Sequence, residues 1–297
     1  MSKTICQAAE PVEHLNARLA ALFWLAIATL LLSGCANLRA VRDFAQTSTE
    51  GQTLQAVAAE LAESPRRQIR YTTNQAVKTD LELSAAIGRT NRDEIVAAHQ
   101  AIQAYMATLA TLASDGIVAS NNTMAQLNQA LAESRVFAVH EKERDAFGKL
   151  AELVMTAATD FYRRAELRHM IKQAEPYFPV AIAALQRIVT NDCVMLLQGE
   201  MGAMNQYYEL QSGLQNASTP AWAVVLVEEV RQERAATIEQ KIRVCRQYGV
   251  ILGKIGEGHA AMAQNVKHLD TKEVVATLEG YQQEISAAYE SFKQVSW

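Results

Sequence analysis

Apolar positions along this chain recur at threes and fours, and no stretch alternates β-branched and polar residues between turn signals. The periodicity predicts helix throughout. A first helix is expected over 37–63, ended by Pro65, because the residue before a proline disfavours helix and proline lacks an N–H. Residues 80–87 read as a short helix or the start of a longer one. Asn91 then reads as an N-cap, with Glu94 three residues on as in a capping box. The helix it would start carries Ile95, Ile102, Met106, Leu109 and Ala113 on one face, and Ser114-Asp115-Gly116 stops it. A short helix is expected over 123–133 and a long one over 142–174, before Glu175-Pro176-Tyr177-Phe178-Pro179 breaks the pattern.

Two very long helices follow, over about 179–214 and 220–266, joined by Gln215-Asn216-Ala217-Ser218-Thr219. Thr219 suits an N-cap and Pro220 the first helical position. At 1.5 Å per residue these helices reach roughly 50–70 Å. A last helix is expected over 271–295. The fold class that follows is all-α, an elongated antiparallel helical bundle around a central helical hairpin. Within it, the segment Ala104 to Leu112 aligns with Gln247 to Ile255, each with a Tyr followed by aliphatics four and seven positions later. Duplication of a helix–loop–helix unit and coincidence in an Ala/Leu-rich protein both fit that similarity.

The chain has 13 Gly and 5 Pro among 297 residues, which agrees with continuous helix. Its net charge of −4 argues against a nucleic-acid partner.

The N-terminal pattern differs from the rest. Lys3 and Arg18 precede an uncharged run, Leu19 to Leu32 (LAALFWLAIATLLL), and small residues follow it at once. The run is long enough for a signal-peptide core and short of the ~20 residues a stable span requires. The string Leu32-Ser33-Gly34-Cys35 resembles the lipobox of bacterial lipoprotein signal peptides. That resemblance implies removal of residues 1–34 as a signal peptide and a diacylglycerol on the Cys35 thiol. It further implies acylation of the new amino terminus, with palmitate among the expected chains. An uncleaved helical anchor is the alternative. Ala36, where an Asp would resemble an inner-membrane retention signal, resembles the outer-membrane default. The domain of residues 35–297 is then expected to be tethered through Cys35 in the cell envelope, facing the periplasm. No second long apolar run is expected.

With Cys6 lost alongside the signal and Cys35 lipidated, Cys193 and Cys245 remain. Their midpoint is residue 219, the expected turn, so an antiparallel hairpin places them at one height. Each also lies on an apolar stripe. The first is Ile182, Val189, Cys193, Leu196, Ala203, Tyr207, Leu210 and Leu214. The second is Ile238, Ile242, Cys245, Gly249, Leu252, Ile255, His259, Met262 and Val266, both with coiled-coil spacing. An exported compartment would let the pair oxidise to a disulfide, while two buried thiols are the alternative. The same register sets Gly199, Gly202 and Ala203 against Glu239, Ala236 and Ala235, predicting a close approach.

Residues that could carry chemistry are sparse. His99, His140, His169, His259 and His268 are never paired at i, i+3 or i+4, and His259 reads as a packed, hydrogen-bonded core histidine, with a ligand role as the alternative. Glu166-x-x-His169 has no second copy, as a di-iron bundle would need. No catalytic residues, metal ligands or cofactor are therefore expected, beyond the covalent lipid. Basic clusters at Arg66-Arg67-x-x-Arg70 and from Arg163 to Lys172 read as solvated faces or intrabundle ion pairs, with contact to anionic lipid headgroups or an acidic partner as the alternative. The leading expectation is a non-enzymatic, membrane-anchored helical lipoprotein that binds an unidentified envelope protein or acts as a scaffold. The alternative is a membrane-active or membrane-shaping long-helix protein, for which Trp222 to Val230 (WAVVLVEEV) is the nearest candidate segment.

Overall fold

In the computed structural model, residues 38–50, 53–114, 129, 136, 141–157, 163–213 and 220–292 are described. The lipobox with Cys35, the expected helix over 123–133 apart from Gln129, His140, the 215–219 connection and the chain end beyond 292 lie outside them.

The described residues form an all-α helical bundle with no strand among them. Helix α1 (Arg39–Thr47) and α2 (Thr53–Gln68) run antiparallel to the long α3 (Gln75–Ala113), after a 3-10 turn at Ile69–Tyr71. Helices α4 (Glu141–Ala157) and α5 (Arg163–Ala174) follow. A second broken rod then comprises α6 (Phe178–Arg187), a π-helical turn (Ile188–Asp192) and α7 (Cys193–Gly213). It runs antiparallel to α8 (Ala221–Gln264), and α9 (Lys272–Phe292) closes the bundle. Their 39 and 44 residues make α3 and α8 roughly 60 and 65 Å long.

The packing repeats itself. Helix α1 packs on α3 and α9, while α6 packs on α8 and α4. Each long helix thus receives a broken rod before it and a shorter helix after it, and α2 and α7 meet in the middle. This reciprocity accompanies the sequence similarity around Tyr105 and Tyr248, both fully buried.

Three local expectations are corrected. The first helix ends at Thr47, with Ser48 as its C-cap, and not at Pro65, which lies inside α2. The carbonyl that Pro65 leaves without an N–H partner is that of Leu61, and Gly88 of α3 packs directly on it. Second, α3 is continuous through Asn91. Its N-cap is Asn74, whose side-chain oxygen accepts from the N–H groups of Ala76 and Val77 at 2.9 and 3.4 Å. Glu94 instead accepts from the Val136 N–H at 2.7 Å. Third, Pro220 is itself the N-cap of α8, one residue before the helix begins.

The rod Phe178–Gln211 is long and apolar enough to cross a membrane by length and composition, a run the sequence pattern did not single out. Half of its apolar window is buried in the bundle, and the rod carries the buried carboxylate of Glu200. It is a core element here. Its π turn shifts the inward face by one residue. Beyond Cys193 the core side chains are Leu197, Met204 and Tyr208, whereas the expected Leu210 is 64% exposed. No such shift occurs on α8, where Ile238, Ile242, Cys245, Leu252, Ile255, His259 and Met262 are all buried.

Candidate functional site

The hairpin of α7 and α8 brings the predicted cysteines together. Cys193 and Cys245 are both buried, at disulfide distance, with Cα atoms 6.6 Å apart. That separation lies within the range a disulfide spans. One turn away on α8, Gly249 faces Thr190 of the π turn, and its carbonyl accepts from Gln186 Nε2 at 2.9 Å. The close approach of the rod and α8 is therefore made here. Gly199 meets only the distant tip of Gln68, and Gly202 has nothing near it, so the contact expected at those glycines is not formed.

Two tyrosine–histidine pairs cross the core between the long helices. Tyr105 of α3 shares a hydrogen bond with His259 Nε2 of α8 at 2.8 Å, and Tyr248 of α8 does so with His99 Nε2 of α3 at 2.7 Å. Each long helix contributes one residue of each type. Phe178 stacks on His259 with ring centroids 4.1 Å apart. Burial lowers His259 to about 3 and His99 to about 4, and raises both tyrosines well above their usual value. All four groups are consequently neutral at pH 7. His259 is a core residue, as expected; the pairing of His99 with Tyr248 left no periodic signal in the sequence.

A buried ionic cluster joins α2, α7 and α8. Arg67 donates through Nε and Nη2 to the two oxygens of Glu200 at 2.7 and 2.8 Å, and also to Glu60. Lys241 Nζ donates to the other Glu60 oxygen at 2.7 Å. Glu60 and Glu200 are almost fully buried. Burial alone would lower the pKa of Arg67, but hydrogen bonds and charge from Glu200 and Glu60 outweigh it and raise the value further. Two anions meet two cations, so the cluster is neutral and internally satisfied. Arg67 belonged to a basic cluster flagged in the sequence. Glu200 had a signal that was missed, since it is the lone charge between Asp192 and Glu209.

Among the described residues no group of three or more His, Cys, Asp or Glu is placed to hold a metal. His169 of the Glu166-x-x-His169 motif is exposed on α5. A cleft of about 310 Å³ lies between α2, α3 and the π turn, lined by Leu61, Pro65, Ile87, Ile95, Ile188 and Met195. Asp192 lies at its edge, pushed up by burial and by Glu143, against the opposing pull of Arg187. Among the described residues that line the cleft, no side-chain hydrogen bond pairs a nucleophile with a base.

The remaining feature is an arm. Tyr208 is the last buried residue described on α7, and Ile238 is the first on α8. Between Ala221 and Thr237 α8 has no buried residue, and Val227, Val230 and Ala235 pack against the core only at half-burial. At the arm's base Tyr71 packs on Tyr207 and Tyr208, and Arg234 lies over the Tyr208 ring, 5.9 Å from its centroid. Towards its end Leu210, Trp222, Val225 and Leu226 are 64, 68, 56 and 51% exposed. No charge occurs from Leu210 to Val227. No protein-family model, curated protein or solved structure matches this chain.

Proposed function

We propose that this chain is a non-enzymatic, membrane-anchored lipoprotein of the bacterial cell envelope, lipidated on Cys35 and acting as a scaffold whose docking element is the α7–α8 arm. The observation that carries this reading is the exposure of Trp222, the most exposed of the large apolar side chains described, beside Val225 and Leu226 on the arm, whereas the buried histidines, Arg67, Glu60 and Glu200 are spent on internal pairs. Trp is the residue type most often found at the energetic centre of protein interfaces. The lipobox-like Leu32-Ser33-Gly34-Cys35 supports the anchor. Two or three acyl chains hold a protein firmly, since each buried CH₂ contributes ~0.8 kcal/mol. Ala36 supports the outer membrane, with the domain in the periplasm. In this reading the covalent lipid is the sole added group, and a disulfide between Cys193 and Cys245 forms after export.

Metabolic labelling with palmitate tests the anchor. The protein should be labelled and shortened, and Cys35→Ser should abolish both. An unlabelled chain with an intact N-terminus rejects the lipoprotein reading.

A further inference from the structure

We infer that the cleft between α2, α3 and the π turn reversibly binds a small amphipathic amine, with the apolar tail among Leu61, Ile95 and Ile188 and the ammonium head against Asp192. This ligand site is separate from the arm and from the covalent lipid.

The cleft has two chambers, of about 310 and 470 Å³, that share Ile87, Asn91 and Asp192. Pockets for small ligands commonly span ~300–1,000 Å³. The first chamber is apolar. Leu61, Ile95 and Ile188 form its buried wall, while Ile87 and Met195 stand 52 and 64% exposed at its lip. The second is polar, lined by Thr90, Asn91, Arg187 and Asp192. An apolar chamber that opens onto a polar one suits a molecule with a tail and a head.

Both walls depart from ordinary helix here. Ile188 and Asp192 come from the π turn, a rare feature that recurs at functional sites. Thr90 and Asn91 lie inside the continuous α3, where Asn91 caps nothing and both residue types are poor helix formers. Among the described residues no side-chain hydrogen bond engages either one. Their donors and acceptors are left for a ligand or for water.

Charge selects the head. Arg187 donates to Glu143 at 2.9 Å but stands 3.6 Å from Asp192, beyond hydrogen-bond length. The guanidinium is thus committed to Glu143, and Asp192 has no hydrogen-bonded cation among the described residues. Burial and Glu143 outweigh the pull of Arg187 on its carboxyl. Two carboxylates against one guanidinium attract an ammonium group and repel a carboxylate head.

The test uses the full chain in phosphatidylcholine nanodiscs, with isotope-labelled methionine methyls, titrated with decylamine. The Met195 methyl resonance should shift saturably, and decanol and decanoate should each bind at least about fivefold more weakly. Asp192→Asn should bring decylamine down to the level of decanol with unchanged helicity, because Arg187 keeps Glu143. Ile87→Trp, a larger side chain at the exposed lip, should weaken all three. A shift that rises without saturating and survives both substitutions marks partition into the bilayer and overturns the site. Tighter binding of decanoate, or decylamine binding untouched by Asp192→Asn, overturns the amine.

Discussion

Gly88 lies against the Leu61 carbonyl, the group that Pro65 strips of its helical hydrogen bond. A Cβ at position 88 would stand 2.6 Å from the Leu61 carbonyl carbon and 2.8 Å from the Ala62 nitrogen, both backbone atoms that cannot step aside. The proline and the glycine are thus one device, an exposed carbonyl and a backbone able to cover it through a Cα–H contact. Gly88→Ala should cost about 1–3 kcal/mol by forcing α2 and α3 apart, despite alanine's better helix propensity. Gly280→Ala, in α9 with open space around it, should gain roughly 0.5–1 kcal/mol from propensity alone. Urea melts of the two variants would show opposite shifts; a stabilised Gly88→Ala would reject the contact.

This pair also shows what a sequence can carry. The stripe from Ile238 to Met262 reads directly into buried positions because α8 is uninterrupted, and the cysteine register follows from the hairpin midpoint. Pro65 was misplaced because its lost hydrogen bond is compensated by a residue 23 positions away, which local rules do not see. Asn91 and Glu94 have capping spacing, but the helix already had a start at Asn74, and Glu94 turns to Val136 instead. Leu196, Ala203, Tyr207 and Leu210 were set inward by one residue too few, since the π turn at Ile188–Asp192 leaves no compositional mark. The exposure of Leu210, which makes it part of the arm's patch, is a direct result of that turn. Cys35 lies outside the described residues, so its role stands on the N-terminal pattern alone.

The two core histidines give the fold a defined acid response. Both folded values lie below the ordinary 6.5, at about 4 for His99 and about 3 for His259. The unfolded chain therefore binds more protons than the folded one between 6.5 and those values, and stability falls as pH drops through that window. Each histidine contributes a slope of about 1.4 kcal/mol per pH unit there. Urea midpoints at pH 7.5, 6.5, 5.5 and 5.0 should decline below 6.5, before most carboxylates titrate. His99→Gln/His259→Gln should flatten that decline, because Gln can still hydrogen-bond the tyrosine and does not titrate. An unchanged slope in the double variant would show that neither histidine is the sensor.

The ionic cluster makes a prediction about pairs. Arg67→Met leaves Glu200 buried without a cation and should cost about 3–5 kcal/mol. Adding Glu200→Leu should recover much of that loss, because Glu60 keeps Lys241 at 2.7 Å. Glu200→Leu alone should be milder than Arg67→Met, since Arg67 retains Glu60 and is itself partly solvated. Purely additive losses in this cycle would mean that the pair is not coupled.

The cysteine pair ties the proposed export to the architecture. Cys193 and Cys245 are 52 residues apart in sequence, yet their Cα atoms stand 6.6 Å apart across the α7–α8 seam. A bond there closes a long loop in the unfolded chain, which the chain-entropy model values at about 4 kcal/mol, with measured cases commonly at 2–4. In protein taken from the envelope, the oxidised chain should run faster on a non-reducing gel. Cys193→Ser or Cys245→Ser should remove the shift and lower the urea midpoint by the equivalent of about 2–4 kcal/mol. The same chain made without residues 1–34 in a reducing cytoplasm should keep both thiols and resemble the serine variants in mobility. Reduction should leave the arm's exposed stripe in place, because Leu210 and Trp222 lie four or more turns beyond the cysteines. Two alkylatable thiols in denatured, unreduced envelope protein would reject the bond, although the packed hairpin would remain.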